Sequence, residues 1–181
     1  GQLGDGTSTS RDTPVQVAAS GYVAVASGNS QTCGLRSDGT ARCWGDNAYG
    51  QLGDGSTTDS LVPVEVMNLT DVTRVAAGDN YSCAQLGNGS IWCWGRNNYG
   101  QLGNGTADLL DHPAPEATGI TSGATWLMAA TFHACAVRAD GPDLQVWCWG
   151  RNGSDQLGHH FVDSYYAAAY PAQSYTEAAS V

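Results

Sequence analysis

The chain has 181 residues and a formal net charge of -10, with seven basic side chains, all of them Arg. A phosphate backbone is bound chiefly by clustered Lys and Arg, so nucleic acid is not an expected partner. No apolar run approaches the roughly eighteen residues of a membrane-crossing helix. No leader of the charged-then-apolar kind opens the chain, which begins inside a repeat. The 24 Gly residues stand beside Asp and Asn at turn-like spacing, which favours all-β structure over disorder.

The first element in chain order is Gly1-Gln2-Leu3-Gly4. It returns at Gly50 and Gly100, with Asp155-Gln156-Leu157-Gly158 as a degraded fourth copy. The period of about fifty residues lies in the range where internal repetition means propeller blades or solenoid turns. The expected organisation is a single repeat array over 1–181. Residues 1–20 end one repeat, 21–70, 71–120 and 121–173 are complete repeats, and 174–181 open another, because Tyr175 to Val181 aligns with Tyr22 to Gly28. One such unit cannot bury its own faces, so its neighbours must supply the core.

Within a repeat, Val72 to Ala77 alternates and stops at Gly78, Tyr81 to Leu86 and Ser90 to Gly95 make a hairpin, and a long Asn-, Gly- and Thr-rich connection precedes a fourth strand such as Pro63 to Val66. In the first hairpin Ser37-Asp38-Gly39 is a three-residue loop with Gly39 in the left-handed position. Counting outward from Arg36 and Thr40, Cys33 faces Cys43 on a non-hydrogen-bonded rung, where side chains approach most closely. Cys83 and Cys93 repeat the count around Gly87-Asn88-Gly89. Cys135 and Cys148 enclose three additional residues around Asp140-Gly-Pro-Asp143, and their register does not follow from the count.

Opposed positions of this kind suit three cross-strand disulfides, each closing a loop that contributes about 3 kcal/mol in the chain-entropy model. Reduced thiols acting as small apolar side chains are the competing reading. Zinc is disfavoured by the wide spacing within each pair and by the lack of His in register. Disulfides imply an oxidising, extracellular or secreted setting. Five Asn-x-Ser/Thr sequons, at Asn68, Asn80, Asn88, Asn104 and Asn152, are candidate glycosylation sites, although Asn-Gly-Ser and Asn-Gly-Thr are also turn chemistry.

In the third strand Trp92 and Trp94 share one face and Cys93 takes the other, as do Trp147, Trp149 and Cys148. Both faces therefore seek burial, which radial stacking of blades provides. Arg42 interrupts the Trp pattern in the first copy, a sign of a more exposed edge. The string Cys-Trp-Gly-x-Asn-x-Tyr-Gly-Gln-Leu-Gly, read at Cys43 to Gly53 and Cys93 to Gly103, resembles the repeat of the regulator of chromosome condensation family, in particular its cysteine-containing, secreted-type relatives. The resemblance implies a β-propeller of four-stranded blades, usually seven, of which this chain would hold about three. The third repeat departs from the pattern, with Ala130 in place of Gly28 and Gly78, and Asn152-Gly-Ser-Asp155 in place of Asn-x-Tyr-Gly.

A propeller is a scaffold and does not by itself define an activity. Loops that hold position but change identity are the expected contact sites: Asn29-Ser30-Gln31, Asp79-Asn80-Tyr81 and Thr131-Phe132-His133, with Tyr81, Phe132 and His133 as anchors. Packing of Tyr81 and Phe132 against a neighbouring blade is the alternative. Asn47, Asn97 and Asn152 are read as turn closers. His112, His133 and His159-His160 have no nucleophile with a supporting motif, so no enzyme, cofactor or metal site is expected. Gly-Asp-Gly at Gly4 and Gly53 lacks a calcium-loop pattern and reads as turns. The expected function is a non-catalytic extracellular binding module for a protein or polymer. The alternative is a structural segment of an extracellular assembly, with uncovered blade faces and the Tyr- and Ala-rich stretch from Phe161 to Tyr170 as contacts. Exchange activity toward a nuclear GTPase fits poorly.

Overall fold

The computed structural model describes residues 1–158 and 165–171. Twelve strands occur among them: β1 (Tyr22–Ser27), β2 (Gln31–Arg36), β3 (Ala41–Gly45), β4 (Ser60–Glu65), β5 (Val72–Ala77), β6 (Tyr81–Leu86), β7 (Ile91–Arg96), β8 (Asp111–Ala117), β9 (Ala124–Ala129), β10 (His133–Asp140), β11 (Asp143–Arg151) and β12 (Tyr165–Pro171). They form three antiparallel sheets in simple chain order, β1 to β4, β5 to β8 and β9 to β12. Each sheet is one propeller blade. Strand β5 packs beside β1 on one flank and β9 on the other, so the first strands converge on a common axis and the fourth strands lie on the rim.

The cores lie between blades rather than within them. Cys33, Leu35, Ala41 and Cys43 of the first blade pack with Val72, Ala84 and Trp94 of the second. Cys83, Ile91 and Cys93 then pack with Leu127, Ala136 and Trp149 of the third. This is the two-faced burial that alternation of Trp and Cys predicts. Trp44, Trp94 and Trp149 are each at most 1% exposed. An indole of this kind removes about 200 Å² from water, worth about 5 kcal/mol before ordering costs.

The hairpins hold the three cysteine pairs in register. Cys33 pairs with Cys43 and Cys83 with Cys93, and each pair is a disulfide with Cα atoms 4.1 Å apart. Gly39 and Gly89 take positive φ at the turns, 78° and 76°. The third hairpin settles the open register. Asp140 faces Asp143 across a two-residue Gly141-Pro142 turn, and the ladder runs unbroken to Cys135 opposite Cys148, also disulfide-bonded.

The departures of the third repeat leave its turn geometry intact. Ala130 N donates to the His133 carbonyl as Gly28 and Gly78 do to Gln31 and Tyr81, all at 2.9 Å. Asp155, with φ of 57°, occupies the left-handed position held by Gly50 and Gly100; Asp is one of the few non-glycine residues that tolerate it. Arg42, in the place of a Trp, is half-buried and forms an ion pair with Glu65 at 3.3 Å.

Candidate interaction surfaces at the blade joints and axial loops

The Gly-Gln-Leu-Gly element is the hook by which one repeat engages the next. Trp94 Nε1 donates to the Gln51 carbonyl at 2.9 Å, Trp149 Nε1 to Gln101 at 3.0 Å, and Trp44 Nε1 to Gln2 at 2.8 Å. A Cβ on Gly53 would stand 2.6 Å from Trp94 Nε1, so glycine is required for the ring to close on the turn. The turn is held from within by a buried Asn: Asn47, Asn97 and Asn152 Oδ1 accept from Leu52, Leu102 and Leu157 N. These three residues close turns, as their sequence context suggests.

A second series of joints lies at the axial loops. The Gln31 amide nitrogen donates to the carbonyls of Gly78 (3.1 Å) and Tyr81 (2.9 Å) in the second blade. The Tyr81 hydroxyl meets the carbonyls of Ala130 (3.0 Å) and His133 (2.6 Å) in the third. Gln31 and Tyr81 are 1% and 0% exposed. The expectation that they contact a partner is therefore corrected: both side chains are consumed in joining blades, the alternative weighed for Tyr81. Its burial also pushes the phenol above its ordinary value and keeps it a neutral donor.

The remaining loop residues face outward to different degrees. Asn29 and Thr131 are exposed, whereas Ser30, Asp79, Asn80, Phe132 and His133 are half-buried. Asn29 Nδ2 donates to Asp79 Oδ1 at 2.9 Å, and Asp79 N to the Thr131 carbonyl at 3.0 Å. The three loops thus form one hydrogen-bonded collar. It borders an open cavity of about 430 Å³ lined by Gly28, Asn29, Gly78, Asp79, Ala130 and Thr131. Burial pushes the His133 imidazole below its ordinary value.

Beside the collar, Phe132 packs edge-on to Tyr99 with centroids 5.4 Å apart. The Arg151 guanidinium lies 5.4 Å from the Tyr99 ring centroid and 5.6 Å from that of Phe132. Arg96 repeats the arrangement over Tyr49 at 4.9 Å, and Arg74 stacks on Trp126 at 4.0 Å, in each case across a blade joint. The sequence reading singled out Phe132 but missed Tyr99 and Arg151. Their signal is a Tyr before the Gly-Gln-Leu-Gly at Gly50 and at Gly100 and an Arg after the second and third Cys-Trp-Gly.

Three further groups of candidates are placed by the structure. Asn68 and Asn88 are exposed, Asn80 and Asn104 half-buried, and Asn152 only 3% exposed. A glycan on Asn152 is incompatible with this fold, since its side chain closes a turn. Asp5 and Asp54 accept from the backbone of Thr7 and Ser56 two residues on, the turn role assigned to Gly-Asp-Gly. His112 lies between two carboxylates, Nε2 2.9 Å from Asp108 Oδ1 and Nδ1 2.7 Å from Glu116 Oε1. Burial disfavours its charge, but the two carboxylates outweigh that and hold its pKa above the ordinary value. His159, His160, residues 161–164 and Tyr175 to Val181 lie outside the described residues; Tyr165 to Tyr170 belong to β12.

Sheets stacked about an axis and joined by repeated Trp and loop hooks define a β-propeller repeat protein. The family model for the regulator of chromosome condensation (RCC1) repeat matches residues 38–85 and 88–130, and a second model of the same description matches 22–51 and 72–101. The chain belongs to the regulator of chromosome condensation repeat family. Among solved structures it is similar to Prp20p from Saccharomyces cerevisiae, with 18% identity and a TM-score of 0.81 over 97% of this chain and 45% of that one. A complex of yeast RCC1 (Prp20) with Kap60 gives 17% identity, a TM-score of 0.80 and the same share of this chain against 43% of that one. Human WBSCR16 matches at 22% identity and a TM-score of 0.71, over 83% of this chain and 37% of that one. The chain spans less than half the length of each, and likeness at these identities shows the fold alone. Among the described residues no helix is long and apolar enough to cross a membrane.

Proposed function

We propose that this chain is a non-catalytic, extracellular protein-binding module that presents the rim of its axial collar to a partner. The observation that carries the proposal is the cluster of Phe132, Tyr99 and Arg151 beside Asn29, Asp79 and Thr131: aromatic rings and a guanidinium held on rigid blades, the residue types that dominate interface energetics. The three disulfides support the oxidising setting. The complex of yeast RCC1 with Kap60 supports protein recognition by this scaffold as a class.

The test uses a partner cross-linked to the oxidised chain in its native source and then purified. F132A/R151A should weaken its binding by about thirtyfold, the equivalent of two kcal/mol, with the disulfides and near-ultraviolet dichroism unchanged. Equal affinity of parent and variant would overturn the assignment of this surface.

A second reading is a structural segment of a larger assembly: Val25 is 67% exposed, Met128 55% and Val146 46%, on the outer faces of the first and third blades, which either further repeats or a neighbouring chain would cover. Light scattering on the purified chain separates the readings, since an assembly segment self-associates or recruits a stoichiometric neighbour through these faces, and F132A/R151A leaves that association unchanged.

A further inference from the structure

Strand register exposes an insertion that the repeat pattern conceals. Ser60 and His112 are equivalent, each facing the glycine of a third strand, Gly45 or Gly95. Between the hook glycine and that position lie residues 54–59 in the first blade and 104–111 in the second, two more in the latter. The turns at 54–56 and 104–106 match, so the surplus falls within 107–111, the stretch that carries Leu109-Leu110. These are the two most exposed large apolar residues described, at 89% and 70%. Their burial is worth about 2 kcal/mol each, so leaving both in water carries a cost that a passive loop would shed by substitution.

The loop is also braced in a way the first blade lacks. Asp108 accepts from Leu110 N at 3.0 Å and meets His112; His112 meets Glu116; Glu116 Oε2 accepts from Asn104 Nδ2 at 2.6 Å; and Thr106 Oγ1 lies 3.4 Å from Asp108 Oδ2. The base is a closed polar network and the tip is two bare leucines. We infer that Leu109-Leu110 is a rigid docking tip for a protein that offers an apolar pocket rimmed by Lys or Arg. The rim chemistry follows from the charge around the tip: Asp111, directly after the leucines, is exposed, Arg96 on the adjoining strand is turned onto Tyr49, and the chain as a whole carries -10, while Asp108 shares its charge with His112. The same carboxylates disfavour an anionic membrane surface. Bracing lowers the ordering cost of docking. Tyr99 of the axial surface shares the β7–β8 connection with the leucines, but Phe132 and Arg151 lie on other elements, so variants at those two positions separate the two surfaces.

The probe is a random-peptide display library panned on the oxidised chain, with the L109S/L110S variant as counter-target and a selected peptide then measured by fluorescence anisotropy. Selected peptides should combine apolar residues with Lys or Arg, bind the variant at least about tenfold more weakly, lose affinity with added salt, and bind F132A/R151A as they bind the parent. L109Q/L110Q should repeat the loss, and unchanged disulfides and dichroism establish that neither variant is unfolded. The inference is overturned if no peptide enriches, if selected peptides ignore the leucine variants, or if they carry no basic residues. Leucine-dependent binding to phosphatidylcholine vesicles, or a dimer dissolved by L109S/L110S, would equally overturn it by assigning the tip to a membrane or to a second copy.

Discussion

The Tyr81 hydroxyl lies 2.6 Å from the carbonyl oxygen of His133, a residue 52 positions on and in the next blade, and 3.0 Å from that of Ala130. In the preceding joint Gln31 fulfils the same task with an amide, reaching the carbonyls of Gly78 and Tyr81. Two unlike side chains thus satisfy one backbone requirement. Removing the donor leaves buried carbonyls without it, which costs about 1–3 kcal/mol. Y81F should therefore lower unfolding stability by that amount in a urea titration, with the slope unchanged.

At the hook, G53A should be more damaging than G105A. Both glycines have positive φ, 73° at Gly53 and 91° at Gly105, so any side chain incurs backbone strain. Only Gly53 stands against the Trp94 indole, whereas nothing lies within 4 Å of a Cβ on Gly105. Expected losses are about 1 kcal/mol for G105A and at least about 3 kcal/mol for G53A, read from thermal or urea unfolding, with Trp fluorescence perturbed in the latter alone.

Differential alkylation and mass mapping should find no free thiol in the native chain. On titration with a reductant the Cys135–Cys148 bond should open first, because Cys135 is half-buried while Cys33, Cys43, Cys83 and Cys93 are 0% exposed. Access of the attacking thiolate limits this exchange. Simultaneous opening of all three would show that blade packing does not shield the inner pairs.

The two described histidines should respond to pH in opposite senses. His112 is raised in the folded state, so its ion pairs stabilise fully below its unfolded value of about 6.5 and fade as pH climbs through the folded value. His133 is lowered, so its contribution is present above about 6.5 and is lost as pH falls through the folded value. In thermal unfolding, the deficit of H112Q relative to the parent should be larger at about pH 5.5 than at about pH 8.5, and the deficit of H133Q the reverse.

Hairpins, blade faces and two of the cysteine registers were legible in the sequence because each depends on local counting: a loop of fixed length, a period of two, a turn glycine. The third hairpin was not, because Asp140 to Asp143 admits more than one turn and only the ladder selects Gly141-Pro142. The axial positions misled for a different reason. Gln31 and Tyr81 vary as contact residues do, yet their partners are backbone carbonyls about fifty residues away, which impose reach and a donor but no particular side chain. Leu109-Leu110 escaped notice because an insertion becomes visible only when strand register fixes both ends of the loop.

The rim strands carry a consequence for how such molecules meet one another. β4 contains Pro63 and β8 contains Pro113 and Pro115; each is the last strand of its sheet, and each takes a backbone bond from the segment after the preceding hook, Gly6 N to the Leu61 carbonyl and Gly55 N to the Pro113 carbonyl. With those amide hydrogens missing, the outer margin is a poor template for another strand. Lateral polymerisation of sheets is thereby discouraged, and growth is channelled into circumferential stacking, where every added unit must match both a Trp socket and a pair of carbonyls. Crowding the molecule to high concentration should accordingly produce closed or face-stacked species before it produces fibres.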